Sequence, residues 1–199
     1  MPAVGLIPPG LLGYEARTAD VVLATPSESV TTEAVRVSDY EVTLNADVHR
    51  VYQGPYLNFQ RKLFEALKRK GFNVRQVLSK LHVDMEPPPE ADFELGRWIA
   101  DYPDPDGVLY LLLYSENAIL GRFCGSPELY DLIKRGRAEM NPITRHQLYR
   151  DIEQFISDHA LLLPLFHEQT YRFALKEVQE FEVSFSRPVV PYEKLWIQR

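Results

Sequence analysis

The stretch WIADYPDPDG, residues 98–107, places three carboxylates directly after an aromatic and apolar run. Asp101, Asp104 and Asp106 could bind a metal ion, hydrogen-bond to the backbone of a turn, or pair with a cationic ligand. Each of these chemistries requires a different arrangement of neighbouring residues, so the sequence around the aspartates helps to decide between them.

The spacing excludes a calcium-binding loop of the EF-hand type. Such a loop requires a carboxylate at its first position, a glycine at its sixth and a glutamate at its twelfth. If Gly107 is the sixth residue, Tyr102 is the first and Leu113 is the twelfth, and neither carries a carboxylate. Pro103 and Pro105 also stiffen a segment that would have to wrap around the ion. We therefore expect no metal site here.

The three aspartates are expected to have different roles. Asp104 and Asp106 alternate with prolines, and in such turns an aspartate side chain bonds to nearby backbone N–H groups. Asp101 instead ends the extended run, and ligands of open α/β sheets gather at strand ends. A carboxylate there, next to Trp98 and Tyr102, could pair with a cationic group over aromatic walls. Asp101 is therefore the candidate ligand-binding residue.

Other motifs give no support to an enzyme. The five histidines lack the HExxH spacing of a zinc site, and the sequence contains neither a glycine-rich phosphate loop nor a GxSxG nucleophile motif. Cys124 is the one cysteine; no base is evident beside it, and we expect a small, partly buried side chain. We predict a protein that is not an enzyme and that needs no cofactor.

The composition is that of an ordinary globular protein. The chain has 199 residues, of which 45% are apolar and 25% are charged, which is enough for one sizeable core. The formal net charge of −6 gives no indication of nucleic-acid binding. No apolar run reaches the ~20 residues that a membrane span needs, and no signal-peptide pattern is visible.

Strand-like and helix-like patterns alternate along the chain, which predicts an α/β fold. Strands are predicted in DVVLA, in DYEVTLNA, at Val48–Tyr52 and in FNVRQVL. The extended pattern of DFELGRWIADY then runs into the acidic stretch. ALLLPLF and TYRFALKEV predict two more strands, and the tail VVPYEKLWIQR contains one further apolar element.

Three helices are predicted from apolar stripes and from end signals. The helix in GPYLNFQRKLFEALKRKG ends in three basic residues followed by a glycine. Ser126 and Asn141 are each followed by a proline, which places an N-cap before a proline at the first helical position. The apolar run Val108–Tyr114 is short and fits either a helix or a strand.

Several of these elements resemble the family 5 extracellular solute-binding proteins, the oligopeptide- and dipeptide-binding components of ABC importers. WIADYPDP is similar to the family's W-x-ADYPDP signature, and GLIPPGLLGY is similar to its Pro-rich entry segment. Residues 126–167 are similar to the family's Tyr-Asp-Leu-Ile helix, Arg-x-x-x-Tyr helix and Pro-Leu strand, here with Arg145 and Tyr149. The segment between Tyr14 and Val48 departs from the family pattern.

The resemblance implies an α/β fold that forms one lobe of a periplasmic-binding-protein type II-like clamshell, with a mixed sheet flanked by helices. Residues 1–199 would be a single domain, the second lobe, and the first lobe would be absent from this chain. In the peptide-binding relatives the aspartate of the signature pairs with the ligand's α-amino group and the tryptophan lines the cleft. These roles would fall to Asp101 and Trp98, and Tyr102 and Asn117 are further candidates for ligand contact.

The function that the resemblance implies is solute binding for ABC-type import of peptides or other amine-bearing solutes. The implied partners are the ligand, the missing first lobe and an ABC permease, with no nucleic acid, and the full-length protein would be extracytoplasmic. A second interpretation stays open, in which the lobe is the ligand-sensing part of a cytoplasmic transcriptional or signalling regulator. An upstream signal sequence would indicate transport, and an upstream helix-turn-helix would indicate regulation.

Overall fold

The computed structural model describes residues 2–14, 42–77, 88–169, 171–183 and 189–198. By its internal contacts the chain divides into two compact units. The sheet unit lies within Thr31–Trp98, and the helical unit combines Met1–Val30 with Ile99–Arg199. The single domain expected from the sequence stays a prediction.

In its described residues the sheet unit consists of three parallel strands, one α-helix and a short 3-10 helix. These elements are β1 (Val42–Val48), the 3-10 helix (Arg50–Gln53), α1 (Leu57–Arg69), β2 (Phe72–Val77) and β3 (Phe93–Leu95). The strand order is β2-β1-β3. Because α1 connects β1 to its parallel neighbour β2, this part of the chain is a βαβ unit.

One face of the three-stranded sheet carries buried apolar side chains of β1 and contacts helix α1 through β2. Side chains alternate between the two faces of a strand, and Ala46 and Val48 of β1 are buried on the same face. Gln76 of β2 also lies on this face, where its side-chain oxygen accepts a hydrogen bond from Gln60 of α1 at 3.3 Å. Gln60 is buried, so this contact satisfies a polar group inside the helix–sheet interface.

In its described residues the helical unit contains four α-helices, one antiparallel strand pair and a 3-10 helix. They are α2 (Asp106–Leu113), α3 (Gly121–Cys124), α4 (Pro127–Ala138), α5 (Pro142–Asp158), β4 (Val178–Gln179), the 3-10 helix (Tyr192–Lys194) and β5 (Trp196–Ile197). Ser126 caps α4 and Asn141 caps α5 through N–H groups of the first turn. Both helices begin with proline, as the sequence predicts.

The core of the helical unit forms where helix α4 packs against both α2 and α5. Its innermost side chains are at most 1% exposed and come from all three helices: Leu109, Leu113, Leu129, Ile133, Tyr149 and Ile152. Burying an aliphatic side chain of this size contributes about 1.5–3 kcal/mol. Among the described residues, no helix is long and apolar enough to cross a membrane.

The N-terminal segment of the helical unit is fastened to helix α5. The backbone N–H groups of Leu6 and Ile7 donate to the carboxylate of Glu153 at 3.0–3.2 Å. Gly13 has a φ of +87°, and a Cβ added there would lie 2.7 Å from the Cβ of Tyr149. Glycine is therefore required at this position by both the backbone conformation and the close approach to α5.

The α/β fold class is confirmed, and the strand predictions have mixed outcomes. β1 and β2 fall within the predicted runs DYEVTLNA and FNVRQVL, whereas DVVLA lies outside the described residues. The strand predicted at Val48–Tyr52 is wrong, because β1 ends at Val48 and a 3-10 helix follows. Within the described part, the three-stranded sheet is parallel, and antiparallel pairing occurs between β4 and β5 and at an isolated bridge.

The strands predicted in ALLLPLF and TYRFALKEV are also wrong, because neither run forms a regular strand over its described length. In the first run, Leu163 is 67% exposed, and pairing is limited to an isolated bridge between Pro2 and Phe166. In the second run, regular strand structure begins only at Val178. Both runs have the composition of a strand, but the described part of the chain provides no neighbouring strand for a regular ladder. The apolar run Val108–Tyr114 belongs mainly to helix α2.

Candidate ligand-binding site

The candidate site is the acidic loop, residues 101–107, which leads into helix α2 of the helical unit. Asp101 at the start of the loop is exposed, and Tyr102 beside it is 39% exposed. Within the described part of the chain, no hydrogen bond or ion pair engages the Asp101 carboxylate. The loop therefore presents one available negative charge, whereas its other two aspartates are held by neighbouring groups.

Asp104 is clamped by a two-pronged ion pair with Arg145 of helix α5. Arg145 Nη1 lies 2.8 Å from Asp104 Oδ2, and Arg145 Nη2 lies 2.7 Å from Asp104 Oδ1. Asp104 Oδ1 also accepts the backbone N–H of Asp106 at 2.8 Å. Burial alone would raise the pKa of Asp104, but the hydrogen bonds from Arg145 and from the Asp106 backbone outweigh it and lower that pKa.

Arg145 uses its remaining N–H groups to join the loop to the helical core. Its Nε donates to the carbonyl oxygen of Gly136 on α4 at 3.1 Å, and Nη2 donates to the Tyr149 hydroxyl at 3.0 Å. The hydrogen bond with Asp104 is the largest cause of a raised pKa for Arg145. The sequence places Arg145 and Tyr149 one helical turn apart, but nothing in it indicates that Asp104 is their partner.

Asp106 is the first residue of helix α2 and is only 7% exposed. The Tyr102 hydroxyl donates to Asp106 Oδ2 at 2.6 Å, and Arg137 Nε lies 3.8 Å from the same oxygen. Burial, followed by this hydrogen bond, raises the pKa of Tyr102 to about 12, so the hydroxyl stays protonated and donates at neutral pH. A carboxylate in the first turn also interacts favourably with the helix dipole.

These contacts make the acidic loop a rigid support for Asp101. Pro105, which is fully buried, leads directly into α2. Asp104 accepts a nearby backbone N–H, as the turn interpretation predicts, whereas the Asp106 carboxylate contacts the side chains of Tyr102 and Arg137 instead. A carboxylate on a rigid support loses little conformational entropy when it pairs with a cation, which favours binding of an amine or guanidinium group.

The other predicted site residues are less closely connected to this loop. Asn117 is exposed in the turn region between α2 and α3. In the described structure, no hydrogen bond or ring contact joins Asn117 to the acidic loop. Trp98 is half-buried and is the last residue of the sheet unit, whereas Asp101 belongs to the helical unit. The ligand contacts expected of Trp98 and Asn117 stay predictions.

The sheet unit contains a second carboxyl group with an unusual environment, which the sequence does not reveal. Glu94 of β3 is paired in register with Asp47 of the neighbouring parallel strand β1. Burial, and then the charge of Asp47, raises the pKa of Glu94 to about 7. In the described parts of both units, no group of three or more His, Cys, Asp or Glu side chains is arranged to hold a metal ion.

No protein-family model and no curated protein sequence matches the chain. The clavulanic acid biosynthesis oligopeptide binding protein 2 matches its structure with a TM-score of 0.74 and 18% identity, over 100% of this chain and 39% of that chain. The Escherichia coli murein tripeptide binding protein MppA matches with a TM-score of 0.70 and 16% identity, and the match covers 100% of this chain and 40% of MppA. DppA from Helicobacter pylori, in complex with the peptide STSA, matches with a TM-score of 0.67 and 18% identity. That match covers 100% of this chain and 39% of DppA.

The chain has the fold of these binding proteins. It spans about 40% of the length of each of the three structures, which agrees with the expectation of a partial, lobe-sized piece. The resemblance to the oligopeptide- and dipeptide-binding components of ABC importers is thus confirmed at the level of the fold. The described structure contains a parallel sheet and helices, as the predicted α/β fold class requires.

Proposed function

We propose that this chain is the ligand-binding lobe of a solute-binding protein that delivers peptides, or other amine-bearing solutes, to an ABC importer. The observation that carries the proposal is the exposed carboxylate of Asp101 on a loop that Arg145 clamps. The structural match over the full chain to proteins named as peptide binders supports the same function.

In this proposal Asp101 pairs with the positive charge of the solute. A hydrogen bond to a charged group contributes about 1.5–3 kcal/mol, and the contribution is largest where the pair is shielded from water. Tyr102 can contribute its partly exposed ring, because its hydroxyl is already bound to Asp106. Trp98 and Asn117 are included as the other residues expected to contact the solute.

The proposed partners are inferred from how much of each neighbouring structure this chain matches. The chain covers about 40% of each neighbouring structure, so a first lobe would complete the binding site and an ABC permease would receive the solute. The complete protein would act outside the cytoplasm, where such import begins. Its role is to bind and release a solute, not to convert it.

Calorimetry on the complete two-lobed protein tests the role of Asp101. Asp101→Asn should weaken binding of peptides with a free amino terminus by about 10-fold or more, because ~1.4 kcal/mol corresponds to a factor of ten. N-acetylated versions of the same peptides should bind both proteins equally. Asp131→Asn is the matched control, since Asp131 is also an exposed aspartate of the helical unit, with a side chain that is 69% exposed.

Two results would contradict this proposal at different levels. Equal affinity of the wild-type protein and Asp101→Asn for free-amine peptides would exclude the pairing role of Asp101. Failure of the wild-type protein to bind any member of a panel of peptides and other amine-bearing solutes would exclude the proposed class of ligand.

A further inference from the structure

A concentration of exposed apolar side chains lies near the C-terminal end of the helical unit. Tyr171, Phe173 and Leu175 occupy alternate positions and are 66%, 94% and 77% exposed. We call residues 171–175 the apolar segment. Trp196 and Ile197, in strand β5 of the same unit, are also exposed. Clustered exposed apolar side chains in a globular protein mark sites of contact with another polypeptide or a ligand.

The sequence and the backbone of the apolar segment indicate the kind of contact. Alternating large apolar residues are typical of a strand that buries one face. In the described part of the chain, however, none of the backbone N–H groups of residues 171–175 donates a hydrogen bond within the protein. The segment therefore has the pattern of a strand without the neighbouring strand that would complete it.

We propose that the apolar segment is a docking strand for the remaining polypeptide of the two-lobed binding protein, an inference that rests on the proposed function. The occupant is a strand-bearing, apolar surface of the first lobe, which pairs with the backbone of the segment and covers Phe173 and Leu175. The neighbouring structures match this chain over its full length, and about 60% of the length of each neighbour lies outside the matched part. That additional polypeptide is the source of the surface.

A comparison of two proteins, this 199-residue chain and the complete protein, tests the docking strand. The double substitution Phe173→Ser with Leu175→Ser should leave Tm of the 199-residue chain unchanged, because both side chains are already exposed. In the complete protein it should lower Tm by at least about 4 °C, because two large apolar side chains lose their burial. Met140→Ser with Ile143→Ser is the control, since these residues are 90% and 81% exposed elsewhere and should be neutral in both proteins.

A second measurement applies if the double variant of the complete protein does not fold. Phe173→Cys introduces an accessible thiol, whereas the native Cys124 is buried. A thiol reagent should label Cys at position 173 at least about 10-fold more slowly in the complete protein than in the 199-residue chain, as expected for a group removed from solvent.

The two measurements have outcomes that overturn the proposal. Equal labelling rates in both proteins, or equal changes in Tm, would show that the first lobe does not cover the segment. Protection that depends on the concentration of the 199-residue chain alone would assign the segment to a second copy of this chain instead. Neither measurement requires a ligand, so their failure is distinguishable from a failure of Asp101 to bind a solute.

Discussion

Replacing Arg145 with methionine should release the acidic loop from helix α5. Methionine keeps an unbranched apolar side chain but removes four hydrogen bonds, two to Asp104, one to the Gly136 carbonyl and one to the Tyr149 hydroxyl. Asp104 would keep the backbone N–H of Asp106 as a partner. The substitution therefore tests how much of the loop's stability depends on the clamp.

The expected loss of stability depends on how far the ion pair between Arg145 and Asp104 is exposed to solvent. A fully buried ion pair that loses one partner costs about 3–5 kcal/mol, whereas an exposed pair contributes about 0–1 kcal/mol. The side chains of Arg145 and Asp104 are 20% and 31% exposed, which places this pair between the two cases. We expect Arg145→Met to lower the free energy of unfolding by about 2–3 kcal/mol and Tm by about 4–10 °C.

Urea denaturation of a double-mutant cycle with Asp104→Asn measures the pair itself. The coupling energy should be about 1–2 kcal/mol. Arg135→Met is the control, because Arg135 lies 3.9 Å from Asp131 with both side chains at least 60% exposed, and it should cost no more than about 0.5 kcal/mol. A coupling energy below about 0.5 kcal/mol would show that the pair does not stabilise the loop. The same conclusion would follow if Arg145→Met lowered the free energy of unfolding no more than Arg135→Met does.

The pH dependence provides an independent check on the same pair. Because folding lowers the pKa of Asp104, its ionised form stabilises the protein fully above the unfolded-state pKa, which is about 4. This stabilisation is lost as the pH falls through the lower folded-state pKa. The stability difference between the wild-type protein and Asp104→Asn should therefore persist from neutral pH to about pH 5 and shrink in stronger acid.

Two further substitutions test other parts of the structure. The pKa of Glu94 is about 7 in the folded protein against an ordinary 4.5, so stability falls as the pH rises between these values. Glu94→Gln should raise Tm relative to the wild-type protein at pH 8 but not at pH 4, and an equal effect at both would contradict the assignment. Gly13→Ala should cost more than about 1 kcal/mol in urea denaturation, because φ is +87° and the new Cβ meets Tyr149. Gly10→Ala is the control, because Gly10 has a φ of +94° but no atom lies within 4 Å of a Cβ added there. Its cost therefore measures the backbone strain alone, without the steric contact.

Local signals in the sequence predict the helices well. Ser126 and Asn141 cap α4 and α5 as expected, because an N-cap and the following proline act on the first turn alone. Helix α1 ends before Gly71, which has a φ of +89°. These elements are decided by neighbours within a few residues, so they can be predicted without knowledge of the tertiary structure.

Features that depend on distant partners could not be predicted in the same way. The apolar segment has the alternation of a strand, but alternation indicates a buried face without supplying the strand that must pair with it. Arg145 and Asp104 are 41 positions apart, and Asp47 meets Glu94 only through the register of two parallel strands. The sequence indicated that Asp104 and Asp106 serve the turn, while their actual partners depend on how helices α4 and α5 pack.

The three aspartates of the acidic loop differ in their contacts, and this difference bears on how the proposed ligand preference could change. Asp104 and Asp106 hold the loop, whereas Asp101 has no such contact in the described structure. In the proposed binding site, replacing Asp101 with a neutral residue should therefore remove the charge presented to a solute, and replacing it with a basic residue should reverse that charge, while the scaffold keeps its stability. New ligand preferences could then arise through single substitutions at this position, without compensating changes elsewhere in the lobe.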